Sequence, residues 1–88
     1  MKRKKSKVVA SPLRSGVYRH YKGPYYWVLG VAKHSETEAD FVVYVRLYAR
    51  GGCPWWIRPL EHFTGKVIGP NGKKVARFAF VGSEEPSV

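Results

Sequence analysis

The stretch FVVYVRLYA, residues 41–49, alternates between two sets of side chains and predicts a β-strand. Every second residue from Phe41 to Ala49 is apolar, and this set is expected to face a core. Successive side chains of a strand point to opposite faces of the sheet. The outer face is therefore expected to carry the other set, which is Val42, Tyr44, Arg46 and Tyr48.

Further short strand patterns lie on both sides of this stretch. YYWVLGVA (residues 25–32) precedes it, with Gly30 where a long strand can form a bulge, and WWIR (residues 55–58) follows it. PLEHF (residues 59–63) predicts one helical turn, and Asn71-Gly72 predicts a hairpin. We therefore predict an all-β fold, a small SH3-like β-barrel of five to six short strands with one short helical turn. The aromatic core is expected to contain Trp27, Phe41, Trp55, Phe78 and Phe80.

The chain has 88 residues and a net charge of +10, of which +6 falls within residues 1–14. A length of 88 residues corresponds to one domain. We predict a disordered basic arm at 1–15, a folded domain at 16–82 and a frayed tail at 83–88. Such an arm attracts nucleic acid or another polyanion through Lys2, Arg3, Lys4, Lys5 and Lys7.

The single cysteine, Cys53, cannot form an internal disulfide, which favours a reducing compartment. No run of residues approaches the ~18 apolar residues of a membrane-spanning helix. The start of the chain has the charges of a signal peptide but lacks its apolar segment. We therefore expect a cytoplasmic protein that does not contact a membrane.

Three segments resemble a known family. They are GVYRHYKGPYYWVLGVAKHSET (residues 16–37), FVVYVRLY (residues 41–48) and WIRPLEHF (residues 56–63). Together they resemble the bacterial domain of unknown function 1653 family, over residues 16 to 80. The resemblance implies a small β-domain without an established activity. It also implies that the family's motif positions are His20, His34, Ser35, Glu36, Thr37, Tyr44, Arg58 and Pro59.

The candidate metal ligands are His20, His34, Cys53 and His62, which lie 14, 19 and 9 residues apart. None of these spacings matches a zinc motif, so no metal or cofactor is predicted. Glu36, Glu38 and Asp40 cluster in one short loop, in which Ser35 and Thr37 can bind the loop's own backbone. This favours a self-capped connection over a catalytic pair of carboxylates.

A ligand site is predicted from residues that combine aromatic, guanidinium and imidazole groups. Arg58 is expected within reach of the loop at 34–37, with Tyr44 or Trp56 between them. Arg46 and Tyr48 are expected on the same outer face, where they could contact nucleic acid. The competing interpretation is that these side chains only stabilise the sheet by cross-strand pairing. The predicted ligand-binding set is His20, His34, Ser35, Glu36, Thr37, Tyr44, Trp56 and Arg58.

Three functions compete on this basis. The first is a binding module that contacts nucleic acid or another polyanion through the aromatic-basic face and the arm. The second is an accessory module that binds a peptide of a protein partner. The third is a small enzyme that uses His20, His34 and Glu36 as acid–base groups and Arg58 to hold an anionic substrate. We rank them in that order, so that enzymatic activity is uncertain and binding is favoured.

Overall fold

The computed structural model describes residues 13–83, which form seven strands and one short helix. Most of the predicted basic arm, residues 1–12, and the tail at 84–88 lie outside the described residues. The elements in chain order are β1 (Gly16–His20), β2 (Tyr25–Lys33), β3 (Asp40–Arg46), β4 (Trp55–Pro59), α1 (Leu60–Phe63), β5 (Lys66–Ile68), β6 (Lys74–Ala76) and β7 (Phe78–Gly82).

Five strands form one antiparallel sheet in the order β4-β3-β2-β1-β7, and β5 and β6 form a separate hairpin. The all-β class and the helical turn within residues 59–63 are confirmed, but seven strands are present within residues 13–83 where five to six were predicted. The closed barrel is wrong, because β4 and β7 are open edges of the sheet in the described part of the chain. After β4 the chain turns into α1 and the β5–β6 hairpin, so no strand between residues 13 and 83 joins the two edges.

A register shift between Val28 and Gly30 interrupts the pairing of β2 with β3. This irregularity confirms the bulge predicted near Gly30. It lets the nine-residue β2 pair with β1 along its first half and with β3 along nearly its whole length. The two ends of β2 are about 26 Å apart, since a strand rises about 3.3 Å per residue.

The alternation predicted for β3 is correct, but its orientation is reversed. Val42, Tyr44 and Arg46 are buried, with Tyr44 only 2% exposed, whereas Phe41, Val43 and Val45 are only partly buried on the opposite face. Trp55 and Ile57 of β4, opposite Val45 and Val43, are 55% and 62% exposed. The orientation of β3 is reversed because α1 packs on the face of the sheet that carries Tyr44, which its Phe63 covers.

The core is a cluster of aromatic rings between the sheet and α1. Phe63 and Phe78 stack with ring centroids 3.9 Å apart, and the edges of Tyr18 and Tyr44 meet Phe63 at 5.4 and 5.3 Å. Stacked and edge-to-face pairs of this kind stabilise a core beyond their buried area. Among the aromatic residues predicted as core, only Phe78 is buried, and Phe80 packs against the cluster as a partly buried ring. The prediction is wrong for Trp55, because β4 turns this side chain to the uncovered face.

Leu13 and Arg14, which fall within the predicted arm, contact the domain. Leu13 packs against the aromatic core. The guanidinium of Arg14 lies 4.0 Å from the ring centroid of Phe80, and its carbonyl oxygen accepts a hydrogen bond of 2.8 Å from the Tyr18 hydroxyl. Ordered contacts therefore begin before β1.

Candidate functional site

The loop between β2 and β3 is capped by its own side chains. Nδ1 of His34 accepts hydrogen bonds from the backbone N–H groups of Glu36 and Thr37, at 3.1 and 3.3 Å. Oγ1 of Thr37 accepts from the N–H of Ala39 at 3.2 Å. Among the described residues, the expected self-capping is thus observed for Thr37 but not for Ser35, and the His34 ring is a cap that was not expected from the sequence. Its Nδ1 is occupied by the loop itself.

The acidic residues of this loop do not form a catalytic pair. Asp40 forms an exposed ion pair with Lys33, with Nζ and Oδ1 2.8 Å apart. Glu36, Glu38 and Ser35 are exposed, and Glu38 has a φ of 63° at the tip of the loop. Exposed carboxylates of this kind remain solvated and contribute little.

Arg58 and His34 lie on opposite faces of the sheet. The ring centroids of His34 and Phe41 are 6.0 Å apart, on the face away from the core. Nε of Arg58 donates to the Tyr44 hydroxyl at 3.1 Å, and its guanidinium lies 5.5 Å from the ring centroid of Phe78. The predicted proximity of Arg58 to the loop at 34–37 is therefore wrong. The reason is again the reversed orientation of β3 and β4, which turns Arg58 inward.

Tyr44 and Tyr48 belong to a network of tyrosines rather than to an exposed stacking surface. The hydroxyls of Tyr26 and Tyr48 are 3.0 Å apart, and the rings of Tyr26 and Tyr44 meet edge to face at 5.3 Å. Burial, and then the hydrogen bond with Tyr48, raises the pKa of Tyr26 well above its ordinary value. Tyr44 is too deeply buried to stack on a base, so this part of the predicted site is wrong.

Arg46 holds the loop between β3 and β4. Its side chain is buried, with 8% exposure, and its guanidinium donates hydrogen bonds to four backbone carbonyl oxygens. The acceptors belong to Arg50, Gly51 at 3.2 Å, Gly52 at 3.1 Å and Cys53 at 2.8 Å. The expectation that Arg46 contacts nucleic acid is wrong, because the side chain is buried and both terminal nitrogens donate to carbonyl oxygens of the domain.

Trp56 shares the core face of β4 with Arg58 and is partly buried against the aromatic core. The guanidinium of Arg50 lies 5.7 Å from the ring centroid of Trp56. The indole Nε1 of Trp56 is buried without an acceptor in the described part of the chain. The packing of Trp56 against the core leaves less of its ring open to a base than the sequence suggested. The remaining predicted contacts, Lys2, Arg3, Lys4, Lys5 and Lys7, lie outside the described residues.

His20, the remaining member of the predicted ligand set, borders a groove that was not expected from the sequence. The groove consists of two adjoining hollows of about 340 and 440 Å³ that share Tyr21 and Pro70. We call it the basic groove. One wall is Arg19, His20, Tyr21 and Lys22, and the other is formed by Ile68, Gly69, Pro70, Val75, Ala76 and Ala79. The signal in the sequence was the run RHYK before the Gly23-Pro24 turn.

Cations surround His20 without any acidic neighbour nearby in the sequence. Burial, and then the charges of Arg58, Arg77 and Lys22, lowers the pKa of His20 below its ordinary value. No Asp or Glu occurs in residues 13–35 or 62–83, which include both walls of the groove. The cations that favour the neutral form of His20 produce a positive potential, and this potential can also attract an anion.

The described residues offer no grouping for a metal ion, since no three His, Cys, Asp or Glu side chains between residues 13 and 83 come together. Cys53 is exposed in the loop that Arg46 holds. No helix in the same range is long and apolar enough to cross a membrane, α1 being four residues long.

Comparison with known proteins agrees with this fold. A family model described as a protein of unknown function (DUF1653) matches residues 16–80. A crystal structure of a DUF1653 protein from Bordetella bronchiseptica is 46% identical, with a TM-score of 0.80, and the match covers 86% of this chain and 96% of that one. No curated protein matches the chain. The match over most of the folded domain shows that this chain belongs to the DUF1653 family, whose members are domains of unknown function.

Proposed function

We propose that this protein is a binding module for polyanions, single-stranded nucleic acid in the first place, and that the basic groove is the contact surface. The observation that carries the proposal is the separation of charge along the domain. A cationic, partly aromatic groove lies at one end of β2, and three of the four acidic residues of the described range lie in the loop at the other end.

The charge of the groove extends onto the adjacent hairpin. Lys66, Lys73 and Lys74 belong to the segment between α1 and β7, which contains no acidic residue. Within residues 13–83 the ion pair of Lys33 with Asp40 is the only one, and it lies at the opposite end of β2. The cations near the groove are therefore not neutralised by ion pairs within this range. Positive potential of this kind attracts a phosphate backbone without reading its sequence.

Tyr21 provides an aromatic ring between the two hollows. The ring of His20 lies 4.7 Å from it, and Nζ of Lys22 lies 5.8 Å from its centroid. Aromatic rings flanked by cations bind single strands by stacking on bases while the cations contact phosphates. We assign to Tyr21 the stacking role that the sequence suggested for Tyr44, Tyr48 and Trp56.

The test is a titration of mixed single-stranded RNA and DNA at several salt concentrations, with full-length protein and variants. Lys73→Gln together with Lys74→Gln should reduce the slope of log K against log salt by roughly 0.7 for each phosphate that is no longer neutralised. Arg50→Gln is the matched control, because this exposed cation lies at Trp56, away from the groove. Deletion of residues 1–12 should also reduce the slope. The deletion stops at residue 12 because Leu13 packs on the core.

Tyr21→Ala should weaken binding at every salt concentration, by ~1–3 kcal/mol if a base stacks on this ring. Trp55→Ala is the control, since Trp55 is an exposed aromatic on β4, at the edge of the sheet opposite β7 and the groove. Absence of binding by the full-length protein at low salt would refute the proposal. Binding that is indifferent to the groove variants but abolished by deleting residues 1–12 would assign it to the arm and refute the role of the groove.

A protein-interaction module is the second candidate, and one observation favours it. The face of the sheet away from α1 exposes apolar side chains on β3 and β4, among them Trp55 and Ile57. Exposed apolar surface on an edge strand can bind a partner peptide. Capture of a specific partner that Trp55→Ala abolishes, without nucleic-acid binding by the parent, would favour this candidate. The enzyme interpretation is not proposed, because His34 and Arg58 lie on opposite faces.

A further inference from the structure

We propose that His20 and Arg58, with Arg77 and Lys22, form a subsite for one terminal phosphate group at the edge of the basic groove. The inference rests on the proposed function in that it names which part of a nucleic acid this end of the groove would bind. The ligand chemistry is a phosphate monoester, and both a free phosphate and a phosphorylated strand end offer it.

His20 and Arg58 both contact the ring of Phe78. The ring of His20 contacts Phe78 edge to face, with centroids 4.9 Å apart. The guanidinium carbon of Arg58 lies 5.5 Å from the same ring centroid. Both side chains are partly exposed, whereas Phe78 itself is buried. Because both side chains are held against one buried ring, a ligand could contact the exposed parts of the imidazole and the guanidinium together.

The hydrogen bonds of His20 determine which nitrogen would face the anion. Nδ1 accepts from the backbone N–H of Lys22 at 3.1 Å. The proton of a neutral ring with this bond must lie on Nε2, so His20 is a donor without first becoming charged. The Nε2–H group of His20 is therefore held in one orientation among cations, where it can donate a hydrogen bond to a phosphate oxygen.

Arg58 and Arg77 both have N–H groups that bind no acceptor among the described residues. The hydrogen bond of Arg58 to the Tyr44 hydroxyl uses only Nε and leaves the four terminal N–H groups of its fork. Nε of Arg77 is buried without an acceptor among the described residues. Arg77 occupies the kink between β6 and β7, where its backbone N–H and carbonyl are both hydrogen-bonded, which fixes its position beside His20. The carboxylate nearest in sequence is the exposed Glu61, three residues after Arg58, which forms no ion pair within residues 13–83. Two guanidinium groups and one ammonium match a dianion better than a singly charged diester.

The experiment follows the ring signals of His20 by NMR at constant ionic strength, with three probes. They are inorganic phosphate, a short single-stranded oligonucleotide with a 5′-phosphate, and the same oligonucleotide with a 5′-hydroxyl. We expect phosphate and the 5′-phosphate strand to shift the His20 signals, and removal of the 5′-phosphate to weaken binding about tenfold or more. His34 and His62, which lie outside the groove, serve as internal controls whose signals should not move.

Arg58→Gln and Arg77→Gln should each remove the preference for the phosphorylated end. Because both residues are partly buried, Lys22→Gln is added as an exposed change in a turn that leaves the core untouched. Equal affinity for the two strands, with no response of His20 to phosphate, would overturn the subsite while leaving general nucleic-acid binding intact. A response of His20 to inorganic phosphate, with no binding of either strand, would support the subsite and overturn the nucleic-acid function.

Discussion

Replacing Arg46 with Met tests whether this guanidinium holds the domain together or contacts a ligand. The side chain is 8% exposed and binds four carbonyl oxygens of residues 50–53. Hydrogen bonds to a charged group contribute ~1.5–3 kcal/mol each, but four that share one guanidinium are not additive. The exposed loop can also bind water once the guanidinium is gone. We therefore expect a decrease of ~2–4 kcal/mol in the free energy of unfolding.

This decrease is large for a domain of this size. Stability of ~0.05–0.15 kcal/mol per residue gives roughly 4–13 kcal/mol for a chain of 88 residues. Each kcal/mol shifts the Tm by about 4–8 °C in a domain of 60–100 residues, so the expected decrease is about 8–30 °C. Thermal unfolding followed by tryptophan fluorescence is suited to the measurement, because Trp55 and Trp56 follow the loop directly.

Arg50→Met is the matched control. It removes an exposed guanidinium from the same loop but keeps the carbonyl oxygen that Arg46 binds, so the Tm should change little. A Tm of Arg46→Met within the range of this control would refute the clamping role. Where both variants are folded, the affinity for nucleic acid should be the same. Weaker binding by Arg46→Met alone would restore Arg46 as a contact residue.

The remaining predictions concern the backbone, the core and the pH dependence of stability. Gly16→Ala should lower the Tm, because a Cβ there would lie 2.7 Å from the carbonyl oxygen of Gly82 and the φ of 134° is strained for alanine. Phe63→Ala should cost ~3–5 kcal/mol, since it removes a fully buried ring from its stack, and urea denaturation would measure the change. The lowered pKa of His20 means that the unfolded chain binds the proton more tightly. Stability present above pH ~6.5 should therefore decline as the pH falls through the folded pKa of His20. A series of Tm measurements over this pH range should show that His20→Gln flattens the decline, and equal slopes for the variant and the parent would contradict the prediction.

The strands of this domain follow from local patterns that could be recognised directly. The period of two predicted for residues 41–49 becomes β3 as far as Arg46, the Gly30 bulge is present, and β4 ends at Pro59, directly before α1. Each of these features depends on neighbouring residues only, through side-chain alternation or the restricted backbone of Gly and Pro. The same holds for the capped loop at 34–39, although the His34 ring performs a role expected of a hydroxyl.

The candidate site could be predicted only in part. Tyr44, Trp56 and Arg58 share one face as predicted, but it is the core face and not the outer face that was expected, and His20 lies on it as well. The groove beside His20 was missed because its second wall comes from the β5–β6 hairpin, about 50 residues further along the chain. Proximity between such distant segments depends on how the sheets pack, which no local pattern encodes.

The sequence by itself determined the class of the fold, its strand positions and the family, since these depend on short-range periodicity and motifs. Only the tertiary structure decided which face of β3 is buried. Both faces are apolar enough to form a core, so alternation identifies two faces without choosing between them. The choice is made by α1, whose Phe63 stacks on Phe78 against Tyr44. That packing turns Arg58 inward beside His20 and leaves Trp55 and Ile57 uncovered on the other face.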